Sequence, residues 1–99
     1  MNISLDYDNT YTRDPVFWDM FISNAQHFNH TVYCVTMRHT HPFESIEVLE
    51  TIGKAIGQDM CHFTGRKNKK DFMFALGISI DVWIDDNPFF ILNDAGKII

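Results

Sequence analysis

Cysteine is scarce in this sequence: Cys34 and Cys61 are the two in a chain of 99 residues. They stand far apart, each inside an apolar run. That pattern reads as two reduced, buried thiols of a cytoplasmic protein and argues against a disulfide-built secreted scaffold. Positive charge is scarce as well. Eight Lys and Arg against thirteen Asp and Glu leave a formal charge of −5, which speaks against general coating of nucleic acid. No apolar run approaches the ~18 residues of a membrane span, and the opening MNISLD reads as a strand rather than a signal peptide. No membrane partnership is expected. Repeats, low-complexity tracts and Pro- or Gly-rich linkers are missing too, with three prolines and five glycines in all. Residues 1–99 are therefore expected to form one domain.

What the chain does have is apolar material. Its 45% hydrophobic fraction, nine phenylalanines included, excludes disorder and supports a small core. Residues 2–6 read as a buried strand ending at Asp6. Asp14 and Pro15 supply an N-cap and a first helical residue, and Phe17, Met20, Phe21, Ala25 and Phe28 follow at helical spacing, predicting an amphipathic helix over 15–28. TVYCVT at 31–36 is β-branched and aromatic, a second strand. A helix is expected over 44–56, with Val48, Leu49, Ile52, Ala55 and Ile56 on its apolar face and Gly57 as its stop. Residues 59–64 form a third strand. Asn68 then caps a helix, with Asp71 in capping-box position and Gly77 ending it. Residues 80–85 form a fourth strand, followed by a turn at Pro88; the terminal NDAGKII is too short to assign.

Strands alternating with helices predict an α/β fold: a parallel sheet of four or more strands in three Rossmann-like layers. Ligands of such sheets bind beyond the carboxyl ends of the strands, where the winding reverses. The expected strand ends are Asp6, Thr36, Thr64 and Asp85. Order 3-2-1-4 would set the first strand between the second and fourth, bringing Asp6, Thr36 and Asp85 to one crevice. Asp6 and Asp8, two apart in extended chain, would point the same way. Their repulsion would be relieved by a divalent cation, and Asp85 completes three hard oxygen donors suited to Mg²⁺.

The motifs at these positions resemble the haloacid dehalogenase-like phosphohydrolase superfamily. Asp6-Tyr7-Asp8-Asn9-Thr10 resembles its DxDxT motif, Thr36 its second-motif hydroxyl, a lysine of GRKNKKDF its third motif, and IDDNP at 84–88 its fourth. All four stand in family order between residues 3 and 88. DYDNTYTRDPVFWDMFI with CVTMR also looks like short members found in bacteria and their phages. The resemblance implies a Mg²⁺-dependent phosphatase acting on a phosphomonoester through a covalent aspartyl-phosphate. Asp6 would be the nucleophile and Asp8 the proton carrier. Mg²⁺ would be held by Asp6, the Asp8 main-chain carbonyl and Asp85, with Asp86 behind it. Thr36 would donate to a phosphoryl oxygen. The lysine is Lys67, Lys69 or Lys70; Asn68 as cap favours Lys69, with Lys70 next.

Asn9 stands where many members have glycine, a mild departure because asparagine tolerates left-handed backbone. Only three residues separate Thr10 from Asp14, too few for the family's flap, and no insertion offers a cap domain. In the family an uncapped site implies a large phosphorylated substrate, such as a nucleic-acid end or a phosphoprotein, or a lid lent by a second copy in a homo-oligomer. Thr10, Arg13, Arg38, His39 and Lys70 are candidate substrate contacts. His39 and His41 form an H-x-H pair without a third ligand, so zinc is disfavoured. Two rivals stand beside the phosphatase. One is a non-catalytic or weakly active binding or regulatory module on the same scaffold, associated with nucleic acid. The other is a phosphoacceptor receiver domain, disfavoured because no mid-chain strand ends in Asp.

Overall fold

The computed structural model describes residues 1–96. The last three residues of NDAGKII lie outside them. In chain order, β1 (Asn2–Leu5) leads through a 3₁₀ turn (Tyr11–Arg13) into α1 (Pro15–His27), then β2 (Thr31–Thr36). Next come α2 (Pro42–Glu50), α3 (Ile52–Ile56), a 3₁₀ turn (Gln58–Met60) and β3 (Cys61–Phe63). The described chain closes with α4 (Lys69–Ala75), β4 (Val82–Ile84) and α5 (Phe89–Leu92). The four strands form one sheet in the order β3-β2-β1-β4, all parallel. This is a Rossmann-like α/β arrangement. No helix among the described residues is long and apolar enough to cross a membrane.

Strand alternation divides the core. Ile3 and Leu5 pair with Val32 and Cys34, and Ile22 and Ala25 of α1, Val48 of α2 and Ile52 and Ile56 of α3 close over them. The opposite face is buried as well, at Ser4, Val35 and, from α4, Met73. Both faces are therefore covered, as parallel sheets require. Cys34 and Cys61, distant in sequence, are register partners on β2 and β3, both buried and both free thiols.

Local signals explain most element ends. The Asp14 carboxylate accepts from the Phe17 amide at 3.2 Å, and Pro15 opens α1. Asn68 accepts from the Asp71 amide at 2.9 Å to start α4. Gly57, at φ +97°, closes α3, in the region open to a residue without Cβ.

Four expectations need correction. The helix expected over 44–56 is two helices. At Thr51 the hydroxyl donates to the Glu47 carbonyl at 2.6 Å, and the backbone leaves helical angles with φ −111° and ψ −94°. A Thr hydroxyl that back-bonds in this way competes with the helical ladder. The third and fourth strands are shorter than 59–64 and 80–85, because each lies at a sheet edge with one neighbour to pair with. The Pro88 turn continues into the single helical turn α5. Finally, α1 buries part of the expected stripe, Phe21 and Ala25, together with Trp18 and Ile22. Phe17, Met20 and Phe28 are 54%, 69% and 62% exposed, whereas Ile22 and Ala25 are buried and Trp18 and Phe21 pack against them. Two apolar stripes run along this helix, and only docking against β2 and α3 selects one of them.

That selection is measurable. Ile22→Ala should cost about 2–5 kcal/mol in urea unfolding, as cavity-forming core truncations do. Met20→Ala should stay within about 0.5 kcal/mol. Equal costs would mean that α1 is rotated relative to this packing.

Candidate active site

The sheet order carries the site. β1 and β4 are adjacent, so Asp6 and Asp85, each the first residue beyond its strand, emerge side by side; the Asp6 amide still donates to the Ile84 carbonyl at 2.9 Å. Lys69, at the first position of α4, reaches between them. Its Nζ donates to Asp6 Oδ1 at 2.8 Å and to Asp85 Oδ2 at 2.6 Å. Of the three lysines in GRKNKKDF, it is the buried one, 2% exposed. The cap holds it there: Asn68 anchors the α4 start, and its own amide donates to Asp94 at 2.7 Å.

Thr10 closes the cluster from the other side. Its hydroxyl lies 3.1 Å from Asp6 Oδ2 and 3.3 Å from Asp86 Oδ1 and accepts from the Asp86 amide at 3.2 Å. A hydroxyl has one proton, so it donates to one of the two carboxylates at a time. The turn that brings Thr10 back is sealed by Tyr7: its carbonyl accepts from the Thr10 and Thr12 amides, and Tyr11 donates to the Asp6 carbonyl. Asn9 takes φ +63° inside this turn, a left-handed angle that asparagine adopts more readily than most residues. Thr36, buried at the end of β2, accepts from the Arg38 amide at 3.3 Å.

Asp6, Asp85 and Asp86 offer oxygens within 4.8 Å of one another. Three carboxylates face one ammonium, so with Asp6 ionised the cluster carries an excess of negative charge. Burial pushes the Asp6 carboxyl up to about 7 against the pull of Lys69, and the hydrogen bond with Asp86 and the charge of Asp85 act with burial. Burial works to lower Lys69, but the Asp6 and Asp85 carboxylates outweigh it and hold the ammonium above its ordinary range. Lys69 occupies one oxygen of Asp6 and one of Asp85, and each carboxylate oxygen has two lone pairs. The donor set, all hard oxygens, therefore fits Mg²⁺ with waters completing its shell.

Asp6, Thr36, Lys69, Asp85 and Asp86 line one cavity of about 190 Å³ together with Asp8, Asn9, Met37, Asn87 and Phe90. Asp8 differs from expectation: its carboxylate does not join that of Asp6, because the chain turns from Tyr7 onward instead of staying extended. Arg38 holds it instead, Nε to Oδ2 at 3.0 Å and Nη2 to Oδ1 at 2.7 Å. The third carboxylate of the cluster is Asp86, expected to stand behind the metal. Arg38 also donates to the Glu44 carbonyl at 2.8 Å and lies over the Tyr7 ring at 5.0 Å. Its guanidinium is thus committed within the fold and not held out toward a ligand.

The other candidate contacts lie off the cavity lining. Arg13 ends the 3₁₀ turn, exposed. The His39 ring packs near Gly65 and its amide donates to Glu44 at 3.0 Å. Lys70 borders a separate small cavity with Phe74, Ile80 and Trp83. His41 caps α2, its Nδ1 accepting from the Phe43 amide at 3.2 Å. Sequence reasoning missed Met37, Asn87 and Phe90. Met37 follows Thr36, Asn87 lies inside IDDNP and Phe90 stands two residues beyond it, so nearness to the motifs was the available signal. No protein-family model, curated protein or solved structure matches the chain.

Lys69→Met would strand buried carboxylates. We expect a loss of about 3–5 kcal/mol in urea unfolding at pH 8. The loss should shrink toward pH 5, because Asp6 then takes a proton. A cost independent of pH would show that the ammonium is not compensating Asp6.

The Asp6 shift also sets how a cation should act. Its folded pKa of about 7 lies above the unfolded value of ~3.9. The metal-free protein therefore loses stability as pH rises through that window. A cation that binds the ionised form reverses the trend: millimolar Mg²⁺ should raise the melting temperature more at pH 8 than at pH 6. Equal shifts at both pH values, read by differential scanning fluorimetry, would exclude Asp6 as a ligand.

Proposed function

We propose that this chain is a Mg²⁺-dependent phosphohydrolase of the haloacid dehalogenase-like type without a cap domain, using Asp6 as nucleophile. The observation that carries the reading is the buried Lys69 ammonium shared by Asp6 and Asp85, at the ends of adjacent parallel strands. Phosphomonoester hydrolysis is so slow unaided that enzymes accelerate it by up to ~10²¹-fold. Fixed charges in a low-dielectric cleft are the main physical means to that end.

Each side chain has a role that its surroundings permit. Lys69 orients one Asp6 oxygen, Thr10 the other, leaving the carboxylate aimed with little freedom to rotate. Asp6 attacks phosphorus in line, and the alkoxide or phenolate leaves. Thr36, at the floor of the same cavity, donates its hydroxyl to a phosphoryl oxygen. Asp8 is the lining carboxylate outside the Asp6–Asp85–Asp86 cluster. It therefore passes a proton to the leaving oxygen and then takes one from the water that hydrolyses the aspartyl-phosphate. Asp6, Asp85 and Asp86 would hold Mg²⁺, which would supply positive charge to offset the anionic nucleophile and substrate. The stretch from Thr10 to Asp14 holds a 3₁₀ turn and no hairpin, so the entrance admits phosphate carried on a large molecule.

One observation favours the rival reading, a binding module on the same scaffold. The Asp8 carboxylate is tied bidentately to Arg38, so both of its oxygens are engaged within the fold and not turned toward a leaving oxygen. Turnover separates the two. Wild type should release phosphate from p-nitrophenyl phosphate only with Mg²⁺, and Asp6→Asn should abolish release. Asp8→Asn should still be phosphorylated on Asp6 while turnover falls at least about a hundredfold, the usual scale for losing an acid–base group. Equal rates for wild type and Asp6→Asn would refute the phosphatase.

A further inference from the structure

The cavity around the carboxylates measures about 190 Å³, below the roughly 300–1,000 Å³ of pockets that enclose a drug-sized ligand. It takes a phosphoryl group and the few atoms next to it. The lining is not all polar: beside the charged groups and Thr36 it holds Asn9, Asn87, Met37 and Phe90.

The two apolar side chains are held in place. Met37 directly follows Thr36, and its carbonyl accepts from the Arg66 amide at 3.0 Å, tying it to the loop after β3. Phe90 sits on α5, the turn that follows the Asp85–Pro88 segment, where its amide donates to the Asn87 carbonyl at 3.2 Å. Phe89 meets the Phe90 ring edge-on, with centroids 5.4 Å apart and an interplanar angle of 81°. Phe89 and Leu92 on the same turn are exposed.

We propose that the phosphate group taken by this site is attached to an aromatic ring, directly or through one methylene, and that Phe90 with Met37 seats the ring. The inference rests on the phosphohydrolase reading of the cavity. A ring gains edge or face contact with Phe90 and a sulfur–aromatic contact with Met37. A glycerol or sugar phosphate would press hydroxyls against the same two side chains, shedding water without gaining a partner. The shared chemistry is that of an aryl or arylmethyl phosphate, carried by a small molecule or by a tyrosine side chain of a protein.

Non-hydrolysable phosphonates test this without relying on turnover. Isothermal titration calorimetry with Mg²⁺ present would compare methylphosphonate, benzylphosphonate and a short peptide carrying phosphonomethyl-phenylalanine. We expect benzylphosphonate to bind wild type about tenfold more tightly than methylphosphonate, the scale of one well-seated ring contact. Phe90→Ala should reduce that ratio to within about twofold. Phe90→Leu, which keeps apolar volume on α5, should fall between them and guards against misfolding of the alanine variant. Equal binding of the two small phosphonates to wild type, or an undiminished ratio in both variants, would overturn the aromatic assignment and leave the phosphohydrolase reading standing. Failure of all three ligands and of inorganic phosphate to bind would overturn both. Tighter binding of the peptide than of benzylphosphonate would support a phosphotyrosine source, and comparable binding a small-molecule one.

Discussion

One ammonium shared by two buried carboxylates is the constraint on which this molecule turns. Lys69 bridges Asp6 and Asp85 where solvent can do little to screen them. A charge buried without a partner costs several kcal/mol, more than a chain of this size can spare. The bridge can form only if β1 and β4 are neighbours and α4 begins at the same end of the sheet. The strand order and the Asn68 cap are therefore conditions of the charge arrangement as well as of the fold.

The bridge is also incomplete. With Asp86 nearby, negative charge exceeds positive, and burial lifts the Asp6 carboxyl to about 7. A structural ion pair optimised for stability would not leave this excess. Under the proposed phosphohydrolase function the excess has a use, since a cation bound there would compensate it. On that reading the geometry trades stability for a prepared cavity.

A second network ties the site to the helical layer. Asp8 is gripped by Arg38, Arg38 lies over Tyr7, and the Tyr7 hydroxyl contacts Glu47 and Thr51 at 2.8 and 3.0 Å. Thr51 is also where α2 gives way to α3. The helix break and the placement of Asp8 are consequently parts of one hydrogen-bonded assembly. Neither was legible in the residues alone: VLETIGKAI has helical periodicity throughout, and D-Y-D reads as alternation. Only contact between β1's loop and the helix above it bends both.

By itself the chain order of residues determined the four strands and the helices α1 and α4, because caps, β-branched runs and glycine stops act within a few residues of one another. It determined, too, that Asp6, Thr36 and Asp85 stand at strand ends, since apolar patterning stops at each of them. The Asn68 cap already favoured Lys69 over Lys67 and Lys70, and the fold sets its ammonium between Asp6 and Asp85. Tertiary structure alone decided two matters. It decided which of two apolar stripes on α1 is buried, since either satisfies helical spacing until β2 and α3 are in place. And it decided that Asp86, not Asp8, completes the carboxylate cluster, because a guanidinium from the next strand's loop claims Asp8 across a distance in sequence that no local pattern encodes.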